Sequence, residues 1–549
     1  MKEPDPNIWK DPFFWTAFLI GAFVLSLTLW YGAGMAQSIV CYGSWLWKEY
    51  HLPPFVGFFN HTFPGIYIVG RLAMELFGDS VLALRILDLM VQLTCLPMIF
   101  YLVKRISHLS IAGFFAAVFY AFFYYGLSKD DTMHREDYVF WALLLGLTVC
   151  FVWENRFRLR AFLVGIILGF VFLLKPTYGL AWPVFGILFL IQGITKRRKP
   201  ALFELCLFGF ACALPALLTV LYYRWVGMDA LRQLYFDNIT FNSEIYSVMA
   251  DPTVVRGIFW TEKIPELIFR LYPLVFFSGL AIIAFQAFKG AAAKDQALFQ
   301  MLLAMALISI VNYRMQGKYF NYHFVPTVAF MIIFSGWAVG IGADWIGRKT
   351  RPAIAAFTVT TYAVIMIVLM ISTAVSPGLR RYARQHAFRS FEKAYRAPDP
   401  RKEKIPRLAN NYRVADYLRP LLTDQDQVVC FGPYPLINFL LKKKSPAYVV
   451  FVQHLLFRRL DGAILPVQEQ MMKEYSEQVI KARPRFFLFS NTFTVRGKKT
   501  FKLINGDAWT ALEEQFPDLY QFFLKNYRLR KTIGEVEIYE FQAPGASQP

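Results

Sequence analysis

Apolar runs of the length a lipid bilayer demands recur from Phe13 to Ile371, and they constrain this chain more than any other feature. In hydrocarbon every backbone N–H and C=O must be satisfied within the protein, so such runs become helices packed on one another. The pattern predicts about eleven of them, at residues 13–29, 81–103, 111–125, 138–152, 161–174, 179–191, 202–223, 268–288, 297–311, 324–341 and 353–371. Lys175-Pro176 separates the fifth from the sixth and can break one element into two. A chain of 549 residues that is 56% hydrophobic and 17% charged is a polytopic membrane protein, mainly α, not a soluble enzyme, a fibre or a disordered regulator.

Charge supports the same reading. Lys and Arg total 58 against 38 Asp and Glu, an excess that topology and anionic headgroups explain before nucleic acid does. With the N-terminus in the cytoplasm, Lys104-Arg105, Arg156/Arg158/Arg160, Lys196-Arg197-Arg198-Lys199, Lys289 and Arg348/Lys349/Arg351 all fall on the inner side. An odd number of spans then exports the C-terminus. The first run is too long, and too closely followed by others, to read as a cleaved signal peptide. Five of the six cysteines lie in or beside apolar segments and Cys430 stands alone in the polar third, so no disulfide framework forms there.

The expected organisation is a membrane domain at 1–375 with outer loops at 30–80 and 224–267, followed by an exported α/β domain at 376–549. Trp45-Leu46-Trp47-Lys48-Glu49-Tyr50 in the first outer loop suits a helix in the headgroup layer or an aromatic anchor. After a basic linker at 380–407, helices are expected at 410–422, 436–442 and 508–523. Extended segments are expected at 428–431, 448–452, 485–489 and 535–541. No Gly-x-Gly-x-x-Gly or Walker-type loop is present, so nucleotide binding has no support.

Cations just outside the spans on the outer face stand out, because positive residues belong mostly on the inner face. They are Lys48, Lys129, Arg135, Lys175, Arg314 and Lys318, and together they suit a phosphate leaving group; the alternative is snorkelling to headgroups. The stretch Lys129-Asp130-Asp131-Thr132-Met133-His134-Arg135-Glu136-Asp137 concentrates carboxylates before the fourth run. Glu136 and Asp137 are candidate bases for an attacking hydroxyl. The same residues also suit a helix start capped by Asp131 or Thr132. Arg85 and Asp88, three apart on one helix face, read as a structural pair. His61 and His323 are outward and close to spans, and Asp131, His61 and His323 are further candidates for contacting substrate. No metal-binding spacing such as His-Glu-x-x-His occurs.

A family resemblance emerges from these residues taken together. The N-terminal span and the long loop ending in Asn60-His61-Thr62-Phe63-Pro64-Gly65-Ile66-Tyr67 are followed by Leu76-Phe77-Gly78 and Ala83-Leu84-Arg85. Further on come the acidic loop, Leu174-Lys175-Pro176, and Gly317-Lys318-Tyr319 with Tyr322-His323 and Pro326. This order resembles the bacterial polytopic glycosyltransferases of the C-type superfold, the group of the dolichyl-phosphate-mannose and lipid A aminoarabinose transferases. In one respect the chain departs from that pattern. Such proteins usually carry an Asp soon after the first span, where this sequence reads Gly34-Met35-Ala36-Gln37-Ser38, and Gly57 stands where many have another Asp.

The resemblance implies a membrane enzyme of the bacterial inner membrane that moves a sugar from a polyprenyl-phosphate donor to a periplasmic acceptor with inversion. The acceptor is a glycan, a lipid such as lipid A, or a protein, which places the enzyme in lipopolysaccharide or other glycan biosynthesis. It further implies Glu136 or Asp137 as base, and Lys175, Lys318, Arg135 and Arg314 around the donor phosphate. No cofactor is expected, apart from a divalent ion that some relatives require. The competing expectation is a non-catalytic protein of the same fold that binds or assembles lipid-linked sugars after losing the loop-one Asp. An oligosaccharyltransferase subunit would carry Trp-Trp-Asp in its exported domain, and none is present.

Overall fold

The computed structural model describes residues 7–195, 201–247, 252–289, 293–374, 408–458, 463–490, 502–503 and 508–542. The basic run Lys196–Lys199 and the linker at 380–407 lie outside the described residues. In chain order the helices are α1 (Pro12–Ser26), α2 (Met35–Tyr50), α3 (Gly65–Phe77), α4 (Val81–Ser107), α5 (Ser110–Gly126), α6 (Arg135–Val152), α7 (Phe157–Leu174) and α8 (Ala181–Thr195). There follow α9 (Ala201–Val226), α10 (Met228–Tyr235), α11 (Pro252–Ile258), α12 (Pro273–Lys289), α13 (Ala293–Gln316), α14 (Val325–Lys349) and α15 (Pro352–Ala374).

Ten of the eleven predicted apolar runs each fall on one of these helices. Among the described residues seven helical stretches are long and apolar enough to cross a membrane, or eight if one bent pair counts as a span. Ser110–Gly126 and Pro352–Val368 are apolar but shorter, and α6 opens on the charged Arg135, Glu136 and Asp137. The eighth run differs from expectation. Thr253–Leu271 meets Pro273–Gln286 at 96°, so α12 starts at Pro273, not at 268. Proline lacks the N–H that would continue the preceding helix.

By packing the chain divides into two units. The first is Met1–Leu29, Arg85–Tyr222 and Arg256–Val375. At its centre is α14, whose residues from Val325 to Trp337 are all buried. A Cβ on Gly336 would come within 2.3 Å of the Ala116 Cα, and one on Gly340 within 2.3 Å of the Ala112 Cα. The pairs run in opposite directions along the two helices, so α5 and α14 are antiparallel and in backbone contact at matched four-residue steps. Lipid-embedded helices associate closely through such small residues. The antiparallel register brings the segment that follows Gly126 to the same end as the segment that precedes Val325. A second crossing of this kind sets Gly165 and Gly169 of α7 against Ala211, Cys212 and Pro215 of α9.

The second unit is Trp30–Leu84, Tyr223–Val255 and Ser376–Pro549. The segment at 30–80 and the first part of the segment at 224–267, up to Val255, therefore belong to one unit with the C-terminal part of the chain. The Phe59 N–H donates to the Tyr448 carbonyl (2.8 Å), and the Tyr448 hydroxyl donates to the Phe55 carbonyl (3.0 Å) and to Asp237 (2.9 Å). Trp45 is buried beside Phe439 with the Lys442 ammonium near its ring, so this residue of the aromatic stretch belongs to the unit's interior and not to a headgroup layer. Lys48 pairs with Asp79 at 2.7 Å.

The C-terminal part carries a four-stranded sheet of β1 (Val428–Phe431), β2 (Phe486–Ser490), β3 (Tyr527–Ile533) and β4 (Val536–Phe541) in the order β1-β2-β4-β3. β1 and β2 are parallel, and the other two pairings are antiparallel. The expected strand at 448–452 is absent: Val452–His454 is a short 3-10 turn, because Tyr448 spends its backbone groups on Phe59 and Gln478. The helix expected at 508–523 breaks into Ala508–Gln515 and Pro517–Asn526 at a proline.

We expect Gly336→Leu or Gly340→Leu to abolish the detergent-stable fold, since at each position backbone atoms of α5 occupy the space the side chain needs. Gly342→Ala and Gly347→Ala, with nothing within 4 Å of the added carbon, should leave the melting temperature unchanged. Fluorescence-detected size exclusion after heating separates these outcomes.

Candidate functional site

The acidic stretch before α6 is held in place by its own unit. Arg85 in α4 donates to the Thr132 hydroxyl at 2.8 Å and to the Lys129 carbonyl. Asp88, one turn on, accepts from the Tyr124 hydroxyl (2.8 Å) and Gln92, and that hydroxyl in turn accepts the Met133 N–H (3.2 Å). Arg85 and Asp88, read from the sequence as a structural pair, do interact through their charges, and each also holds partners on the loop or on α5. Met133 has φ of 61°, a left-handed conformation that side chains seldom adopt and that surrounding contacts must impose.

The N-cap of α6 is His134, not Asp131 or Thr132. Thr132 faces Arg85 instead, and Asp131 accepts from the Ser128 hydroxyl (2.6 Å) within the loop. Asp137 turns back to accept the His134 N–H at 2.8 Å, the reciprocal half of a capping box. Its other carboxylate oxygen is buried without a hydrogen-bond partner among the described residues.

Glu136, fully buried, is the centre of the site. The Lys175 ammonium donates directly to its Oε1. Arg135 Nε is 3.5 Å and His323 Nε2 3.9 Å from the same oxygen, and His134 Nδ1 is 4.0 Å from Oε2. Lys318 is buried as well, on a turn whose flanking residues Gly317 and Tyr319 both have positive φ. Its charge and those of Lys175, Arg135 and His134 all act on His323. The His134 ring lies flat on Tyr322 (centroids 3.9 Å apart, 8° between planes), and its Nε2 meets the Asp130 carbonyl at 2.8 Å. The antiparallel contact of α5 with α14 is what lets a residue just before α6 stack on one just before α14.

Electrostatics follow from burial. Desolvation pushes the Lys175 ammonium down to about 7 against the opposing Glu136 carboxylate. Lys318 is likewise pushed down to about 7, with Arg135 adding to the effect. His134 is driven down to about 4 and is neutral near pH 7. With both lysines protonated, Lys175, Lys318 and Arg135 carry three positive charges against the single negative charge of Glu136.

The structure thus groups Arg135, Glu136, Lys175, Lys318 and His323, and places Asp137 one residue along. Arg314 ends α13 with its side chain exposed. Lys48 is engaged by Asp79 in the other unit. His61 also belongs to that unit, where its ring packs on Tyr246 (4.3 Å) and His454 (4.7 Å). Sequence reasoning did not assign a role to His134 or Tyr322; the histidine sits inside the acidic stretch, but nothing in sequence announces a stacking partner so far along the chain. Among the described residues no three His, Cys, Asp or Glu side chains gather as a metal site requires. Glu136, crowded by Lys175 and Arg135, is a poor ligand for a cation.

Residues 60–223 match the family described as dolichyl-phosphate-mannose-protein mannosyltransferase. That segment holds His134, Arg135, Glu136 and Lys175, while Lys318 and His323 lie beyond it. The apo structure of ArnT from Cupriavidus metallidurans superposes with a TM-score of 0.53 at 12% identity, over 95% of this chain and 98% of that one. The fold is that of the C-type glycosyltransferases. ArnT bound to undecaprenyl phosphate gives 0.51 at 14% identity, over 98% and 99% of the two chains. The archaeal oligosaccharyltransferase AglB from Archaeoglobus fulgidus, in complex with an inhibitory peptide and a dolichol-phosphate, gives 0.53 at 11%, over 98% and 75%. No curated protein sequence matches the chain. In this C-type fold the buried cations lie in the unit built mainly of membrane helices.

A phosphate ligand needs the lysines protonated, and protonation is complete below their lowered values and lost as pH rises through about 7. Arg135 keeps its charge throughout, and neutral His134 adds none. Affinity for a lipid phosphodiester, whose own charge is constant in this range, should therefore be highest below pH 7 and weaken above it. Lys318→Arg should flatten that decline. A pH series of binding isotherms in detergent reads both effects.

Proposed function

We propose that the protein is a membrane glycosyltransferase that moves a sugar from a polyprenyl-phosphate donor to an acceptor hydroxyl. The observation that carries this reading is the cluster in which the buried Lys175 and the half-buried Arg135 meet the Glu136 carboxylate, with the buried Lys318 close enough for its charge to act with Arg135 on the same surroundings. A glycosyl phosphodiester brings one negative charge, and cleavage of its C1–O bond leaves a phosphate monoester with up to two. Fixed cations in a water-poor site stabilise the charge as it develops. The matched family and the lipid phosphates bound by ArnT and AglB support the same substrate class.

In the proposed reaction the acceptor oxygen attacks the anomeric carbon from the face opposite the phosphate, the C1–O(phosphate) bond breaks, and configuration inverts. The acceptor proton passes to a carboxylate. Of the two candidates Asp137 suits this better, since one of its oxygens has no hydrogen-bond partner among the described residues whereas Glu136 is held by Lys175. Lys175, Lys318 and Arg135 receive the leaving phosphate, and Arg314 lies at the exposed end of α13. The topology that fits is an inner-membrane protein with a cytoplasmic N-terminus and a periplasmic C-terminal part. A glycan, a lipid such as lipid A, or a protein serves as acceptor. A second reading, a non-catalytic carrier of lipid-linked sugars, draws on Gly34-Met35-Ala36-Gln37-Ser38, which supplies a buried Gln37 but no carboxylate.

Asp137→Asn should lower turnover by about 10² to 10⁴ while retaining binding of the lipid phosphate. Mass spectrometry of lipid-linked sugars and glycans from a strain lacking the protein, with and without Asp137→Asn complementation, tests this. Loss of one sugar with accumulation of its carrier, unrescued by the variant, supports the transferase. Full rescue removes Asp137 as base, and a glycan profile unchanged by deletion favours the carrier.

A further inference from the structure

We infer that Glu136 is a resident anion that occupies the phosphate position of the ligand-free site and must be displaced when lipid phosphate binds, so that it sets donor affinity and product release. The inference rests on the phosphate-site reading above and goes beyond it in assigning Glu136 a role opposed to ligand binding.

Glu136 sits where a phosphate oxygen would be drawn. Its Oε1 accepts a hydrogen bond from the Lys175 ammonium and is approached by Arg135 Nε at 3.5 Å and His323 Nε2 at 3.9 Å. An oxygen shared by an ammonium, a guanidinium and an imidazole is a weak base but a good stand-in for one oxygen of a phosphate. The carboxylate is loosely tethered otherwise. Oε2 is buried and has no hydrogen-bond partner among the described residues, and His323 Nδ1 is buried and likewise without one. Swinging the Glu136 side chain away therefore breaks contacts only to cations and rings that a phosphate would engage in turn. Leaving the buried Lys175 and Lys318 beside the half-buried Arg135 with no anion against Lys175 would set like charges together largely out of water, which is costly. The carboxylate relieves that cost in the empty state and competes with phosphate in the filled one.

The competition predicts an effect opposite in sign to that of a base or a ligand-binding residue. In full-length protein in detergent, with undecaprenyl phosphate as probe, Glu136→Gln should bind about tenfold or more tightly than the unmodified chain, because couplings between close charges commonly exceed one decade. Its ligand-free melting temperature should fall and recover on adding the probe. Lys175→Gln should bind more weakly. Glu136→Asp, which keeps the charge but draws it back from Lys175, should bind severalfold more tightly and serves if the glutamine variant does not fold. Equal or weaker binding by the folded Glu136 variants, with clear binding by the unmodified protein, overturns the inference while leaving the phosphate site standing. Absence of binding by the unmodified protein and every variant overturns the phosphate-site reading and this inference with it.

Discussion

A carboxylate and an ammonium removed from water together are the constraint on which the rest of the membrane unit depends. Isolated in a medium of low polarity each ion would cost several kcal/mol even after relaxation, so the Glu136 and Lys175 pair persists only where its surroundings are held fixed. The elements around it do that holding. Arg85 fixes the loop, Asp88 and Tyr124 fix Met133, Asp137 caps the first turn of α6, and Tyr322 supports the His134 ring.

The scaffold beneath is set by small residues. Contact of α5 with α14 at Ala112, Ala116, Gly336 and Gly340 permits no Cβ on the α14 side. Its antiparallel register places the segment after α5 beside the segment before α14. Lipid offers helices no hydrophobic reason to associate, and close backbone packing supplies one. The charged cluster is thus positioned by residues far from it that carry no charge at all.

Much of this was legible in the sequence, and the reasons differ by element. Eleven apolar runs were readable because bilayer thickness imposes a length on each, as the coincidence of α4, α9 and α14 with their runs shows. Glu136, Lys175, Lys318 and Arg135 were readable because cations and carboxylates beside a membrane span are expensive and need a purpose. Arg314 satisfied the same rule yet faces outward at the end of α13, since helical phase at a terminus is not fixed by composition. His134 as N-cap, the stacking of Tyr322 and the short turn at 452–454 depend on partners distant in sequence, Tyr322, Asp130 and Phe59 among others. The association of residues 30–84 with the C-terminal part is of the same kind: local pattern identifies the loops and says nothing of what they pack on.

In the proposed reaction the phosphodiester donor takes the place of Glu136 and sets one negative charge against Lys175, Lys318 and Arg135, and the phosphate monoester left after cleavage sets up to two. A site in that balance attracts the leaving phosphate, as its charge grows, more than the donor it came from, and only such a difference lowers a barrier. Full attraction to the product would then slow its departure. In that proposal Glu136, which lies against Lys175 and Arg135, can return to Lys175 as phosphate leaves, so that the anion which stabilises the empty site also limits how long the product stays.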